Sequence, residues 1–143
     1  MQPARTKYRK FRKVFPARIA TSGNEVSFGE YAIKALTGAR VTGKQIETIR
    51  RILAKKIKKT GRIVIRIFPH LPVTKKPIGV RMGGGKGGVE YYVANVAPGT
   101  VMFEMDGISA SDAQDLFAQV KYKMPLECSL IKRRFSAMSE SGE

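Results

Sequence analysis

Residues 75–106 read KKPIGVRMGGGKGGVEYYVANVAPGTVMFEMD, and the fold turns on the segment after the glycines. Gly79, Gly83, Gly84, Gly85, Gly87 and Gly88 leave residues 79–88 with too few side chains to pack a core, while Lys75, Lys76, Arg81 and Lys86 add four positive charges. Glycine backbone takes positive φ and brings its N–H groups close to a partner. Successive N–H groups in such a turn form a concavity suited to anions. The expected partner is phosphate, carried either by a small nucleotide or by a polynucleotide.

Gly83, Gly85 and Gly88 satisfy G-x-G-x-x-G, but that fingerprint holds a pyrophosphate only when the loop opens a helix. VEYYVANV (89–96) is β-branched and aromatic, which predicts a strand. The Walker pattern fails as well, because Lys86 is followed by Gly87 and residue 80 is Val. A free hairpin tip and a loop touching RNA backbone both remain open. TVMFEMD (100–106) alternates, and Ala97-Pro98-Gly99 before it is a turn, so 89–106 is expected to form a hairpin. Glu104 reads as an acid at a strand edge.

Upstream, RIVIRIF (62–68) alternates with Ile63, Ile65 and Ile67 inward and Arg62 and Arg66 outward. FPHLPVTKKP comes next as a stiff, extended connection, so strand and connection act as a stalk for the loop. Thr42-Gly-Lys-Gln45 is a capping box, and Ile46, Ile49, Ile52, Leu53 and Ile57 form an apolar stripe; a helix is expected over about 43–59, stopped by Gly61. Its polar face carries Lys44, Arg51, Lys55, Lys56, Lys58 and Lys59, which complement the helix dipole or meet a polyanion. EVSFGEYAIKALT (25–37) predicts one or two strands with a bend at Gly29, and 38–41 a turn.

Downstream, Ser109-Ala-Ser-Asp112 opens a helix with Ala113, Leu116, Phe117, Val120 and Met124 apolar, ending at Pro125. LECSLIK (126–132) is a last strand. The expected architecture is α+β, two helices on one face of a mostly antiparallel sheet. Residues 1–24 form a basic arm, 25–133 a single domain with a protruding loop at about 75–89, and 134–143 a flexible tail.

The 143 residues carry a net charge of +16, distributed unevenly. Residues 1–86 hold 22 Lys and Arg against three acids, which gives +19; residues 87–143 hold five against eight, which gives −3. Such charge is self-repelling without a polyanion, and no apolar run is long enough to span a bilayer. In MQPARTKYRKFRKVFPARIATSGN, seven cations and no acid alternate with Tyr8, Phe11 and Phe15. Cations reach phosphates while rings stack on bases, so the arm is expected to order on RNA; an organellar targeting peptide is the alternative. One cysteine, Cys128, and one histidine, His70, supply neither a disulfide nor a zinc ligand set, and no nucleophile is paired with a base. No cofactor, metal, catalytic residue or homo-oligomer is expected.

With these residues in view, the chain resembles the bacterial-type ribosomal protein L-sixteen family of the large subunit, from about residue 3 to residue 132. The resemblance rests on PARTKYRK, VSFGEYAIKAL, TGKQIETIRRILAKKIKKTG, RIVIRIFP with VTKKP after it, RMGGGKGGVEYYVA and PGTVMFEMDGI. Departures are local: Val64 stands where an aromatic is usual and His70 where an acid is usual, Gly85 has extra glycine around it, and the tail after Arg133 is longer than in many members.

The resemblance implies a hammerhead-like β arrangement and binding to large-subunit rRNA through Arg5, Lys7, Arg9, Lys10, Arg12, Lys13, Lys44, Arg50, Arg51, Lys55, Lys58, Lys59, Arg62 and Arg66. It also implies a loop of Lys75, Lys76, Arg81, Met82, Gly83, Gly84, Gly85 and Lys86 near the tRNA acceptor region, beside the aminoacyl site and the peptidyl transferase centre. Neighbouring ribosomal proteins are further expected partners, in a bacterial or organellar ribosome. No catalysis is implied. A non-ribosomal RNA-binding protein and a nucleotide-binding enzyme are the rival readings.

Overall fold

The computed structural model describes residues 1–57 and 61–134. Strands β1 (Tyr31–Ala35), β2 (Ala39–Thr42), β3 (Arg62–Ile65), β4 (Leu71–Lys75), β5 (Gly88–Val96), β6 (Val101–Asp106) and β7 (Cys128–Lys132) are joined by helices α1 (Gly43–Lys56) and α2 (Ala110–Lys121). All strand pairing is antiparallel, as the α+β reading requires.

The expected single sheet is two. One has the order β3-β6-β1-β7 and the other β2-β5-β4. The hairpin read over 89–106 does not form. Its turn does: Thr100 N–H donates to the Ala97 carbonyl at 3.2 Å and Gly99 has φ 89°. Beyond the turn, however, β1 takes the hydrogen bonds, with Gly99 N–H donating to the Ala35 carbonyl at 2.7 Å and Ala35 N–H to that of Thr100 at 2.9 Å. Pro-Gly chemistry fixes a local reversal, whereas pairing is decided by which neighbours a strand can bury against.

The hairpin lies one strand earlier. Prolines did not keep 71–75 out of a sheet, because β4 is an edge strand and Pro72 needs no donor on its open side. Residues 39–42, expected as a turn, form β2 and pair with β5 from Ala39–Val96 to Thr42–Val93. Residues 25–30 lie outside β1, and the ladder irregularity falls at Ile33/Lys34 instead of Gly29.

Helix α1 starts as its sequence dictates. Thr42 Oγ1 accepts from Gln45 N–H at 3.3 Å and Gln45 Oε1 accepts from Thr42 N–H at 2.8 Å, satisfying two otherwise orphaned donors. It ends at Lys56; Lys58 and Lys59, placed in the helix from sequence, lie outside the described residues. Gly61 is not a positive-φ stop: a Cβ there would sit 2.3 Å from Ile57 Cγ2 and 2.8 Å from the Asp106 carbonyl oxygen, so it is glycine for space. The α2 box is half made. Ser109 Oγ accepts from Asp112 N–H at 3.2 Å, and the shorter acid takes the Ser109 hydroxyl at 2.8 Å where a reciprocal bond to the backbone was expected.

One apolar cluster joins both sheets and both helices. Ile46, Ile49 and Leu53 of α1 and Ala113, Leu116 and Val120 of α2 meet Ile33, Met102, Phe103 and Met105 of one sheet and Val41, Ala94 and Val96 of the other. Ile67 is buried there, and Ile63 and Ile65 pack at its margin.

Candidate nucleic-acid interface

β4 and β5 form a two-stranded ribbon whose ends, Lys75 and Gly88, are paired, and residues 76–87 are its tip. A Cβ on Gly87 would lie 2.6 Å from the Lys75 carbonyl oxygen, so the ribbon closes only over glycine. Gly79, Gly83, Gly84 and Gly85 have φ between 67° and 105°, with open space where a Cβ would stand. Their conformation, not crowding, requires glycine. Arg81 is exposed, Met82 is 95% exposed and Ile78 fully so. Lys76 Nζ donates across the tip to the Gly83 carbonyl at 2.5 Å, and Lys75 Nζ lies 3.5 Å from Glu90 Oε1 on the facing strand.

The arm lies against β2, β5 and the root of the loop. Lys10 Nζ donates to the Lys86 carbonyl at 2.5 Å, and Lys86 Nζ donates back to that of Phe11. Arg40 and Asn95 both donate to the Val14 carbonyl, the latter at 3.3 Å. Further on, Ala20 N–H donates to the Pro98 carbonyl at 2.8 Å, and Gly23 accepts from Val101 N–H at 2.9 Å. The structure thus brings arm and loop root together. Arg5, Lys7, Arg9, Lys10, Arg12 and Lys13 are all exposed.

On α1, Lys44, Arg51 and Lys55 face solvent, and Arg50 is half-buried. Glu47 bonds to Arg50 at 2.7 Å and to Arg51 at 3.2 Å; the Arg50 hydrogen bond, then that of Arg51, holds its carboxyl down at about 2 despite a desolvation penalty. Lys56 turns to α2, 3.1 Å from Asp115 Oδ2. Arg62 is exposed at the start of β3.

Arg66, grouped with the outward cations from sequence, points inward. Its Nη1 lies 2.7 Å from Glu104 Oε1, with the side chain 18% exposed. Glu104 has no exposed surface. Its carboxylate also accepts from the N–H groups of Phe28 at 2.5 Å, Gly29 at 2.8 Å and Ser27 at 3.3 Å. Burial pushes its pKa up, but the bonds from Phe28, Arg66, Gly29 and Ser27 together outweigh it and hold the carboxyl below its ordinary value. This anion site, filled by the protein itself, is where the arm leaves the body. Sequence reading took Glu104 for an acid at a strand edge, but β6 lies between β3 and β1 and the carboxylate is fully buried. The available signal was that Glu104 sits among Met102, Phe103 and Met105 in a strand buried on both faces, where an acid must be paired.

Positive charge is otherwise largely uncompensated. Of the 22 Lys and Arg in residues 1–86, Lys58 and Lys59 lie outside the described residues; of the other twenty, Arg50, Arg51, Lys56, Arg66 and Lys75 have a carboxylate within 4.0 Å, leaving fifteen that have none among the described residues. Those residues contain no group of three His, Cys, Asp or Glu able to hold a metal, and no helix among them is long and apolar enough to cross a membrane.

An α+β scaffold that displays unneutralised cations on an arm, a helix face and a glycine tip is built to meet a polyanion. The chain belongs to the family described as Ribosomal protein L16p/L10e, whose sequence pattern matches residues 3–131. It is similar to the large ribosomal subunit protein uL16 of Coxiella burnetii strain RSA 331 / Henzerling II, 49% identical over 133 residues, covering 93% of this chain and 97% of that protein. The proteins of the same description from strains Dugway 5J108-111 and CbuG_Q212 are 48% identical over the same coverage. The chain is therefore a ribosomal protein and not an enzyme, as the resemblance implied.

Proposed function

We propose that the chain is a structural constituent of the large ribosomal subunit that clamps large-subunit rRNA and presents its glycine loop to the tRNA acceptor region, near the aminoacyl site and the peptidyl transferase centre. The observation that carries this reading is the set of fifteen cations without a carboxylate partner among the described residues, twelve of them on the arm, α1 and the loop. Phosphate neutralisation by Arg5, Lys7, Arg9, Lys10, Arg12 and Lys13 on the arm and by Lys44, Arg51 and Lys55 on α1 supplies affinity. Arg66 is committed to Glu104 and takes no part. Arg81, Met82 and the positive-φ glycines form the projecting tip, where backbone N–H groups approach an acceptor end closely.

Sedimentation of extract through a sucrose gradient, with detection of this chain, tests the assignment: it is expected with the large subunit, and its presence only in light fractions would refute it. Affinity for rRNA is expected to fall with salt, the slope of log K against log[salt] being about −0.7 to −0.9 per neutralised phosphate. Arg81→Ala is expected to lower tRNA-dependent activity while leaving rRNA binding intact; equal loss of both would refute the division between loop and clamp.

A further inference from the structure

Between the start of α1, β5 and the first two residues of the arm lies a concavity of about 720 Å³. Six of its lining residues set its chemistry: Lys44, Glu47 and Arg51 from α1, and Glu90, Tyr91 and Tyr92 from β5. Both acids already have partners, Glu47 in Arg50 and Arg51, Glu90 in Lys75 at 3.5 Å. Lys44 has no carboxylate within reach among the described residues. Arg51 keeps 75% of its side chain exposed, which leaves most of its donors open to a second anion. Tyr91 is 45% exposed, so part of its ring is open to a partner.

We infer that this concavity is a seat for one unpaired nucleobase of rRNA, stacked on Tyr91, with its flanking phosphates on Lys44 and Arg51. The inference rests on the rRNA-binding reading above and adds the kind of nucleotide recognised. Aromatic rings hold splayed-out bases by stacking, and single-stranded RNA offers such bases where a helix does not. The concavity has room for a planar base together with its sugar and phosphate. A duplex would present only its backbone and leave the ring unused. Stacking tolerates any base, so the site selects for an unpaired nucleotide and not for a sequence.

The test compares large subunits carrying the unaltered chain, Tyr91→Leu or Tyr91→Phe. Each is probed by 2′-hydroxyl acylation, which reads nucleotide mobility, and by hydroxyl-radical footprinting, which reads backbone contact. Tyr91→Leu keeps apolar bulk and loses the π face; acylation is expected to rise several-fold at one or two adjacent unpaired nucleotides while the backbone footprint stays. Tyr91→Phe is expected to behave as the unaltered chain. Identical acylation in all three, with the footprint intact, would overturn the base seat and leave the clamp standing. Failure of the unaltered chain to sediment with large subunits would overturn both.

Discussion

Replacing Glu104 by glutamine removes a charge and almost no volume, from a side chain with no exposed surface. The carboxylate serves the N–H groups of Ser27, Phe28 and Gly29 and the Arg66 guanidinium. An amide offers one acceptor oxygen for two of these donors and turns its own donors toward the rest. Two charge-assisted bonds are then lost, at about 1.5 kcal/mol each, for a total of about 3 kcal/mol. Breaking a buried pair costs about 3–5 kcal/mol, and Arg66 reaches water at one edge, so the lower end applies.

In urea unfolding followed by circular dichroism, the midpoint of Glu104→Gln should fall by about 2 M if the m-value is about 1.5 kcal/mol/M and unchanged. The pH dependence carries the sign. A carboxyl held below its unfolded value of 4.5 stabilises the fold fully above that pH and loses this contribution as pH falls through its folded value. The gap between wild type and variant should therefore narrow on acidification. A midpoint shift under about 0.5 M at neutral pH, or a gap that persists unchanged into acid, would refute the account.

Gly29→Ala places a Cβ 2.6 Å from the Met105 carbonyl oxygen and should cost about 1–3 kcal/mol, read as a lower urea midpoint. Thr42→Ala removes the acceptor for Gln45 N–H and should destabilise by about 1 kcal/mol, with amide exchange quickening in the first turn of α1 before its middle. Lys86→Ala breaks the bond from the loop root to Phe11, so trypsin should cut the free protein between Lys7 and Lys13 faster while the urea midpoint stays put. Ile33→Ala empties a fully buried position between β6 and β7 and should cost about 2–5 kcal/mol in the same unfolding measurement.

Local signals were legible wherever chemistry within a few residues decides the outcome. The Thr42–Gln45 box, the Ile46–Leu53 stripe and the Pro98-Gly99 turn each produced the structure they predict, whereas the alternating strand read over 62–68 ends at Ile65 and its Arg66 turns inward. Pairing was not legible, because β5 and β6 carry equally good apolar faces and only the positions of β1, β2 and β4 decide that they part. Prolines at 69 and 72 speak against a strand unless it is known to lie at an edge, which is a fact of topology. The cationic surface could be counted from sequence, except that Arg66 looked like its neighbours until Glu104 was found behind it. Tyr91 and Tyr92 read as strand formers, and their common hollow with Lys44 and Arg51 exists only once α1 is set beside β5.

The carboxylate at 104 also bears on assembly. Association costs free energy for every torsion a chain must freeze, and segments that are already rigid avoid that cost. Residues 27–29 are immobilised by an anion the molecule carries with it, and Gly23 and Ala20 are tethered close by. On the rRNA-binding reading proposed above, the basic stretch before them is presented from a fixed anchor, and its bonds to the loop root and to Asn95 leave fewer torsions to freeze when RNA binds.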